Sequence, residues 1–289
     1  MKKVLITGAS GFIGKNLVEN LQAQYDIVPV YRKDADLLEE EQVRQLLQKE
    51  NIDVVIHAAT QGTLGRGVEY ENQLLKNNMQ MFLNLEKQHD AYGKLIILGS
   101  GAEYDKRRSL TLVKETDFGE RIPVDNYGIS KFIMSKIIEK TDNIYNLRLF
   151  GIFGPYENYN YRFISNVICK ALLNRDIKIH QNVLFDYMYI KDFCKIIPWF
   201  IDHTPSSHFF NVCTATRIDL VSIAEEVLRQ TESQSRFLVE KSGWNKEYSG
   251  DNSRMKEAMG NISFTPVEKA IEEMIDFYKN TPFQLDGNY

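Results

Sequence analysis

Two stretches of this 289-residue chain carry a tyrosine and a lysine four positions apart: Tyr127 and Lys131 in "YGISK", and Tyr187 and Lys191 in "YMYIK". A phenol beside an ammonium is a proton donor in the making. Tyrosine ordinarily titrates near ~10 and is a slow acid at neutral pH. A neighbouring positive charge favours the phenolate and draws the proton off more readily. A spacing of four brings two side chains onto one face only in a helix. Along a strand it separates them by ~13 Å, too far for one to tune the other. Residues 127–140 have a helical pattern, whereas "VLFDYMYIK" (183–191) is an apolar, aromatic run that reads as a strand. The first pair is therefore the chemical one. Its proton needs an oxygen held in place, and Ser100, at the end of "KLIILGS" (94–100), is placed to hold a carbonyl. Ligands of open α/β sheets gather at the carboxyl ends of the strands.

The elements that must position these residues alternate regularly. Short apolar runs at 2–7, 26–32, 52–59, 94–100 and 144–155 read as strands, and the stretches between them have helical spacing. The helix over 71–90 carries Leu74, Leu75, Met79, Phe82 and Leu85 at core positions. Such alternation predicts an α/β fold with a Rossmann-type, doubly wound parallel sheet. Beyond Pro155 the alternation weakens. A loop rich in tyrosine and asparagine precedes a helix, a strand over "VLFDYMYI", a helix over 190–202, the strand "HFFNVC" and two further helices. The expected organisation is a dinucleotide-binding domain over 1–155, to which 183–215 returns, and a smaller substrate-binding cap from 156–182 and 216–289. Ligand is expected between them.

The first strand runs straight into "TGASGFIG", where Gly8, Gly11 and Gly14 are spaced G-x-x-G-x-x-G before a helix. Gly8 permits the tight turn, Gly11 lets a pyrophosphate approach the backbone, and Gly14 lets helix pack on strand. With the intervening Ser10, Phe12 and Ile13, they would present a helix N-terminus to phosphates. The second strand ends in "VYRKDAD", with Arg32 and Lys33 where an NAD site usually offers an acid to the ribose. A guanidinium suits a 2′-phosphate, so NADP(H) is preferred, with NAD(H) still possible. Asp36 and Leu37 follow within reach of an adenine, although Asp36 could equally cap the next helix. Lys131 would bond the nicotinamide ribose.

Composition narrows the alternatives. Hydrophobic residues make up 43% and charged residues 26%, and the net charge is −4, so nothing argues for nucleic acid or an anionic membrane as partner. Cys169, Cys194 and Cys213 have neither CxxC nor metal-ligand spacing. They read as reduced thiols of a cytoplasmic protein, and no metal is expected. The basic, then apolar, N-terminus is interrupted by glycines too early for a signal peptide, and no run approaches the ~20 apolar residues of a membrane span.

Together "TGASGFIG", "HAA" (57–59), Asn78 in "LKNNMQMF", "LGSGAEY" (98–104), "YGISK", "LRLFGIFGP" (147–155) and "DNSRMKEAMG" resemble the extended short-chain dehydrogenase/reductase family, in its nucleotide-sugar branch. The resemblance implies a catalytic triad of Ser100, Tyr127 and Lys131, and a cofactor site that adds Ala58, Ala59 and Asn78 to the glycine loop. Dehydratases of this family place an Asp-Glu pair directly after the serine or threonine; here Gly101 and Ala102 stand there. Glu103, one residue late, is kept as a substrate-side candidate. The pattern is similar to the GDP-fucose synthase group, which epimerises and then reduces a 4-keto-6-deoxy sugar. That group's epimerisation Cys and His correspond here to Ala102 and Asn166. The implied reaction is NADPH-dependent reduction of the C4 keto group of a nucleotide-linked 4-keto-6-deoxy sugar. The alternatives are an NAD-dependent nucleotide-sugar 4-epimerase and a non-catalytic NADP-binding protein. Gly151 and Phe185 replace the Asn and phosphate-binding Arg of many relatives, which leaves Arg254 and Arg162 as diphosphate candidates. Tyr156, Tyr159 and Tyr161 could line the sugar or base pocket or pack on the cap. A homodimer is implied as well.

Overall fold

The computed structural model describes residues 1–49, 51–62 and 68–285. Six parallel strands form the central sheet: β1 (Lys3–Thr7), β2 (Asp26–Val30), β3 (Ile52–His57), β4 (Tyr92–Ser100), β5 (Ile144–Leu149) and β6 (Phe209–Val212). Their order across the sheet is β6-β5-β4-β3-β1-β2. The chain steps from β1 outward to β2, then returns to the other side of β1 for β3, so the winding reverses beside β1. That reversal opens a crevice at the carboxyl ends of the strands.

Strand periodicity explains why both faces are covered. Successive side chains point to opposite faces, so Val4 and Ile6 of β1 enter one core while Leu5 enters the other. On the first face pack α1 (Phe12–Leu21), through Leu17 and Leu21, and α6 (Ile190–Asp202), through Phe193, Ile197 and Phe200. On the second face pack α2 (Glu40–Gln48), α3 (Val68–Glu86) and α4 (Asn126–Ile138), through Val43, Phe82 and Met134. Outside the sheet, α5 (Phe163–Leu172), α7 (Leu220–Thr231) and the last helix, Val267–Asn280, join the apolar core of the first face through Val167, Ile223 and Met274.

Several elements differ from the expectation. The fifth strand ends at Leu149 rather than reaching Pro155, and Gly151–Phe153 leaves the sheet to pair with Tyr187–Tyr189. The run 183–190 is two short strands, Leu184–Phe185 and Tyr187–Tyr189, broken at Asp186. Asp186 turns its carboxylate onto the backbone N–H groups of Thr214 (3.0 Å) and Ala215 (2.7 Å). Tyr187 therefore lies on a strand while Lys191 lies in the first turn of α6. Lys191 pairs with Glu273 at 2.7 Å. Strands Leu110–Val113, Ile177–Asn182 and Phe237–Trp244 were not anticipated. Phe237–Trp244 is a mostly exposed strand paired with Ile177–Asn182; of its side chains Phe237 and Val239 pack on the core, too short an alternation to mark it. Among the described residues, no helix is long and apolar enough to cross a membrane.

Candidate active site

The glycine turn has the form its spacing predicts. Gly8 adopts a φ of +68°, and a Cβ there would lie 2.7 Å from the backbone of Ala59. A Cβ on Gly14 would lie 2.1 Å from the carbonyl oxygen of Gly8, so only glycine lets α1 start against this turn. No side chain caps α1, and its first backbone N–H groups are left for a ligand. A groove of about 970 Å³ opens in front of them. Ser10, Gly11, Phe12 and Ile13 form its floor, Ala58 and Ala59 one wall, and Arg32, Asp36 and Leu37 the end beside β2. Asp36 does not cap α2, whose N-cap is Glu39. Its carboxylate instead accepts the N–H of Leu38 at 3.1 Å, while the turn that carries Arg32 is held by Asp34, which accepts the Tyr31 N–H at 2.9 Å. The groove, its uncapped helix terminus and its guanidinium fit a nicotinamide dinucleotide.

Helix α3 contributes a face that the sequence reading missed. Gln73, Asn77 and Met81 line the groove, and their spacing of four is the signal that could have found them. Asn78, expected at the cofactor, is 1% exposed and sits behind the wall. Its side chain accepts the Gln61 N–H (2.7 Å) and donates to the Gln61 carbonyl (2.9 Å), holding the loop after β3 in place.

At the other end, Asp125 caps α4 by accepting the N–H of Gly128 at 2.9 Å. Tyr127 and Lys131 then share one face, and the Lys131 ammonium lies 5.8 Å from the centre of the Tyr127 ring. Tyr127 lines the groove together with Arg162. Lys131 is 3% exposed and donates to the carbonyl of Leu98 at 2.8 Å. Burial lowers the Lys131 pKa to about 8, against the pull of the Glu103 charge. The net effect on Tyr127 is opposite to the expected one. Burial raises its pKa, and the hydrogen bond with Ser100 and the charge of Arg162 only partly offset this. His57, at the end of β3, is kept neutral by burial and by Lys131, with a pKa of about 3.

Ser100 ends β4 and accepts the N–H of Ala102 at 3.1 Å. Two tyrosine hydroxyls converge on it, those of Tyr127 and Tyr248. Tyr248 was not anticipated, since nothing in "KEYSGD" sets it apart until the chain folds back over the site. Its ring packs on Phe150 (5.3 Å) and Phe185 (5.4 Å), forming an aromatic wall beside Ser100.

The remaining substrate-side candidates separate. Arg162 stays at the groove. Glu103 is removed from it: its side chain is fully buried and bonded to Ser100, Ser135, Asn146 and Arg148, because an ion pair in the core satisfies it better than a surface pocket would. Arg254 points away, donating to the Phe209 carbonyl at 3.2 Å and facing Glu115 at 3.9 Å, near the start of β6. Tyr156 lies under Lys15 (3.6 Å) and edge-on to Phe277, and Tyr159 packs on Tyr278 and Phe283. Asn166 donates to the Tyr159 carbonyl at 3.0 Å and braces that loop.

The family model described as "NAD dependent epimerase/dehydratase family" matches residues 4–213. A curated relative, GDP-6-deoxy-D-talose 4-dehydrogenase of Aggregatibacter actinomycetemcomitans, is 25% identical over 98% of this chain and 99% of its own. Among solved structures, UDP-glucose 4-epimerase of Thermotoga maritima superposes with a TM-score of 0.84 at 18% identity, covering 96% of this chain and 99% of that one. A GDP-L-fucose synthetase of Naegleria fowleri bound to NADP gives 0.83 at 17% identity, covering 96% and 93%.

Proposed function

The chain belongs to the NAD dependent epimerase/dehydratase family, as an oxidoreductase of the extended short-chain dehydrogenase/reductase type, and we propose that it uses NADPH to reduce the C4 keto group of a nucleotide-linked 4-keto-6-deoxy sugar. One observation carries this reading. Glu103, the carboxylate that follows the serine, is turned into the core, so Tyr127, hydrogen-bonded to Ser100, lines the groove with no carboxylate beside it among the groove's described residues. Among the described residues, Asp36 is the one carboxylate that lines the groove, and it lies beside Arg32 rather than beside Tyr127. Elimination of water across C5–C6 needs a base and an acid at the sugar. Addition to a ketone needs one proton donor.

When bound, the reduced cofactor supplies the hydride. The rest falls to the chain's own residues. The Ser100 hydroxyl holds the C4 oxygen, and Tyr127 donates the proton that turns it into a hydroxyl. Lys131 keeps a positive charge beside the phenol as it becomes phenolate. Arg32 binds the 2′-phosphate and so favours NADPH over NADH. Arg162, at the same end of the groove as Tyr127, is offered to the substrate diphosphate. The A. actinomycetemcomitans relative is named for dehydrogenation at C4 of a GDP-linked 6-deoxy sugar. Oxidation and reduction at C4 are one reaction in two directions, so GDP sugars are the first to try.

The test is oxidation of NADPH and NADH by purified protein with GDP-, dTDP-, UDP- and CDP-linked 4-keto-6-deoxyhexoses, with Tyr127→Phe as control. Rapid NADPH loss with one donor, abolished in the variant, is expected. No turnover with any keto sugar, together with interconversion of UDP-hexoses by a tightly retained cofactor, would assign a 4-epimerase instead.

A further inference from the structure

Behind Ser100 lies a buried ion pair. Glu103 Oε2 accepts from Arg148 Nε at 2.6 Å, with the two side chains 0% and 1% exposed. The same carboxylate reaches three elements. Its Oε1 accepts the Ser100 N–H at 3.1 Å, at the end of β4. Its Oε2 also accepts from Ser135 Oγ at 2.6 Å, one helical turn beyond Lys131 on α4. Asn146 of β5 donates to both oxygens, at 3.0 and 3.1 Å. Space for the carboxylate comes from Gly99, where a Cβ would lie 2.5 Å from Glu103 Oε1. The Arg148 guanidinium is enclosed by the rings of Phe118 (4.3 Å), Phe209 (5.1 Å) and Tyr104 (5.3 Å).

We propose that Glu103 and Arg148 are positioning residues for the reaction: they tie the Ser100 end of β4 to the helix bearing Tyr127 and Lys131, and their opposed charges govern the charge on Lys131. Replacing a buried ion pair by apolar residues is often neutral or stabilising, so stability alone is a poor reason for this one. Its place is chemical, since the carboxylate that holds the Ser100 N–H also holds Ser135 of α4. The groups facing Lys131 are His57 from β3, Glu103 from the turn after β4 and Tyr127 from its own helix. Those facing Tyr127 are Ser100, Tyr248, Asp125, Glu103 and Arg162. Glu103 favours the protonated ammonium, and a guanidinium bonded to that carboxylate at 2.6 Å must by Coulomb's law offset it.

The turnover arm of the test rests on the proposed ketoreductase; the binding arm does not. NADPH affinity is measured against pH for wild type, Glu103→Gln, Arg148→Met and the double variant Glu103→Val with Arg148→Met. Loss of the Lys131 proton sets the basic limb of that profile. The limb moves down by about one pH unit in Glu103→Gln, because a negative charge is lost, and up by about one in Arg148→Met. The double variant, with no net charge change, keeps the wild-type limb and affinity. Its kcat nevertheless falls on the order of 10²-fold, because Ser100 has lost its anchor. Limbs that coincide, or that move the same way in both single variants, overturn the proposal. If the single variants fail to fold, the double variant decides: wild-type kcat contradicts the positioning role. If wild type turns over no keto sugar, the proposed reaction has failed, and the binding limbs still decide for Glu103 and Arg148.

Discussion

In α4, a spacing of four puts Tyr127 and Lys131 on one face, with Tyr127 lining a groove and hydrogen-bonded to Ser100. At 187–191 the same spacing straddles the junction between a strand and α6. Tyr187 stacks on Phe185 at 5.3 Å and meets Phe153 edge-on at 6.0 Å. Lys191 faces outward to Glu273, which also accepts the Tyr189 hydroxyl at 3.0 Å. One pair meets at the proposed active site while the members of the other serve two different packing tasks. The spacing acquires chemical meaning only from the element that carries it and from a third group within reach.

The contrast breaks most sharply at the two phenols. Tyr127→Phe should lower kcat by about 10³-fold or more, the scale of a lost general acid, with NADPH affinity retained. Tyr187→Phe should stay within about a few-fold of wild type, since an apolar ring keeps its packing. A comparable loss in both, read from steady-state rates, would erase the distinction. The lysines come next. Lys131→Met should cost about 10²-fold in kcat, whereas Lys191→Met removes an exposed ion pair worth about 1 kcal/mol or less and should move the melting temperature by no more than about 4 °C. At the far end of the groove, Arg32→Ala should raise the KM for NADPH by about 10- to 100-fold, the worth of a charged hydrogen bond, and leave that for NADH nearly unchanged. Equal effects on both cofactors would remove the 2′-phosphate from the account.

The smallest effect should appear as stability rather than rate, near Tyr187. Glu157 is buried, accepts from Ser165 Oγ at 2.5 Å, and burial lifts its pKa to about 8. Its folded-state pKa lies above the unfolded one, so its contribution is complete below the ordinary carboxylate range and is lost as pH rises through about 8. The melting temperature of wild type should therefore fall by a few °C relative to Glu157→Gln as pH is raised across that window. A gap between the two that does not vary with pH would contradict this.

The residues that were legible in the sequence are those whose role depends on local geometry. Gly8 and Gly14 are demanded by a turn of a few residues, and the α4 pair by one helical turn. The central strands announce themselves because both faces are buried, which makes them continuous apolar runs. What was hidden depends on distant partners. Glu103 could be read as facing a substrate until Arg148, 45 positions away, was placed against it. Arg254 looked available for a diphosphate because the Phe209 carbonyl and Glu115 that engage it come from elsewhere in the chain. Tyr248 reaches Ser100 only because Tyr248–Gly250 pairs with Leu110–Val113. The break at Asp186 was invisible because its cause, the N–H groups of Thr214 and Ala215, lies on another loop.

The most direct test follows the hydride itself. Purified protein is given NADPH deuterated at the transferring position of the nicotinamide and a GDP-linked 4-keto-6-deoxyhexose, and the product is read by mass spectrometry and NMR. The account predicts one deuterium at C4 of the sugar, a new hydroxyl on that carbon, and no label transfer in Tyr127→Phe. Keto sugar recovered unreduced, or reduced at C4 without deuterium, would contradict it.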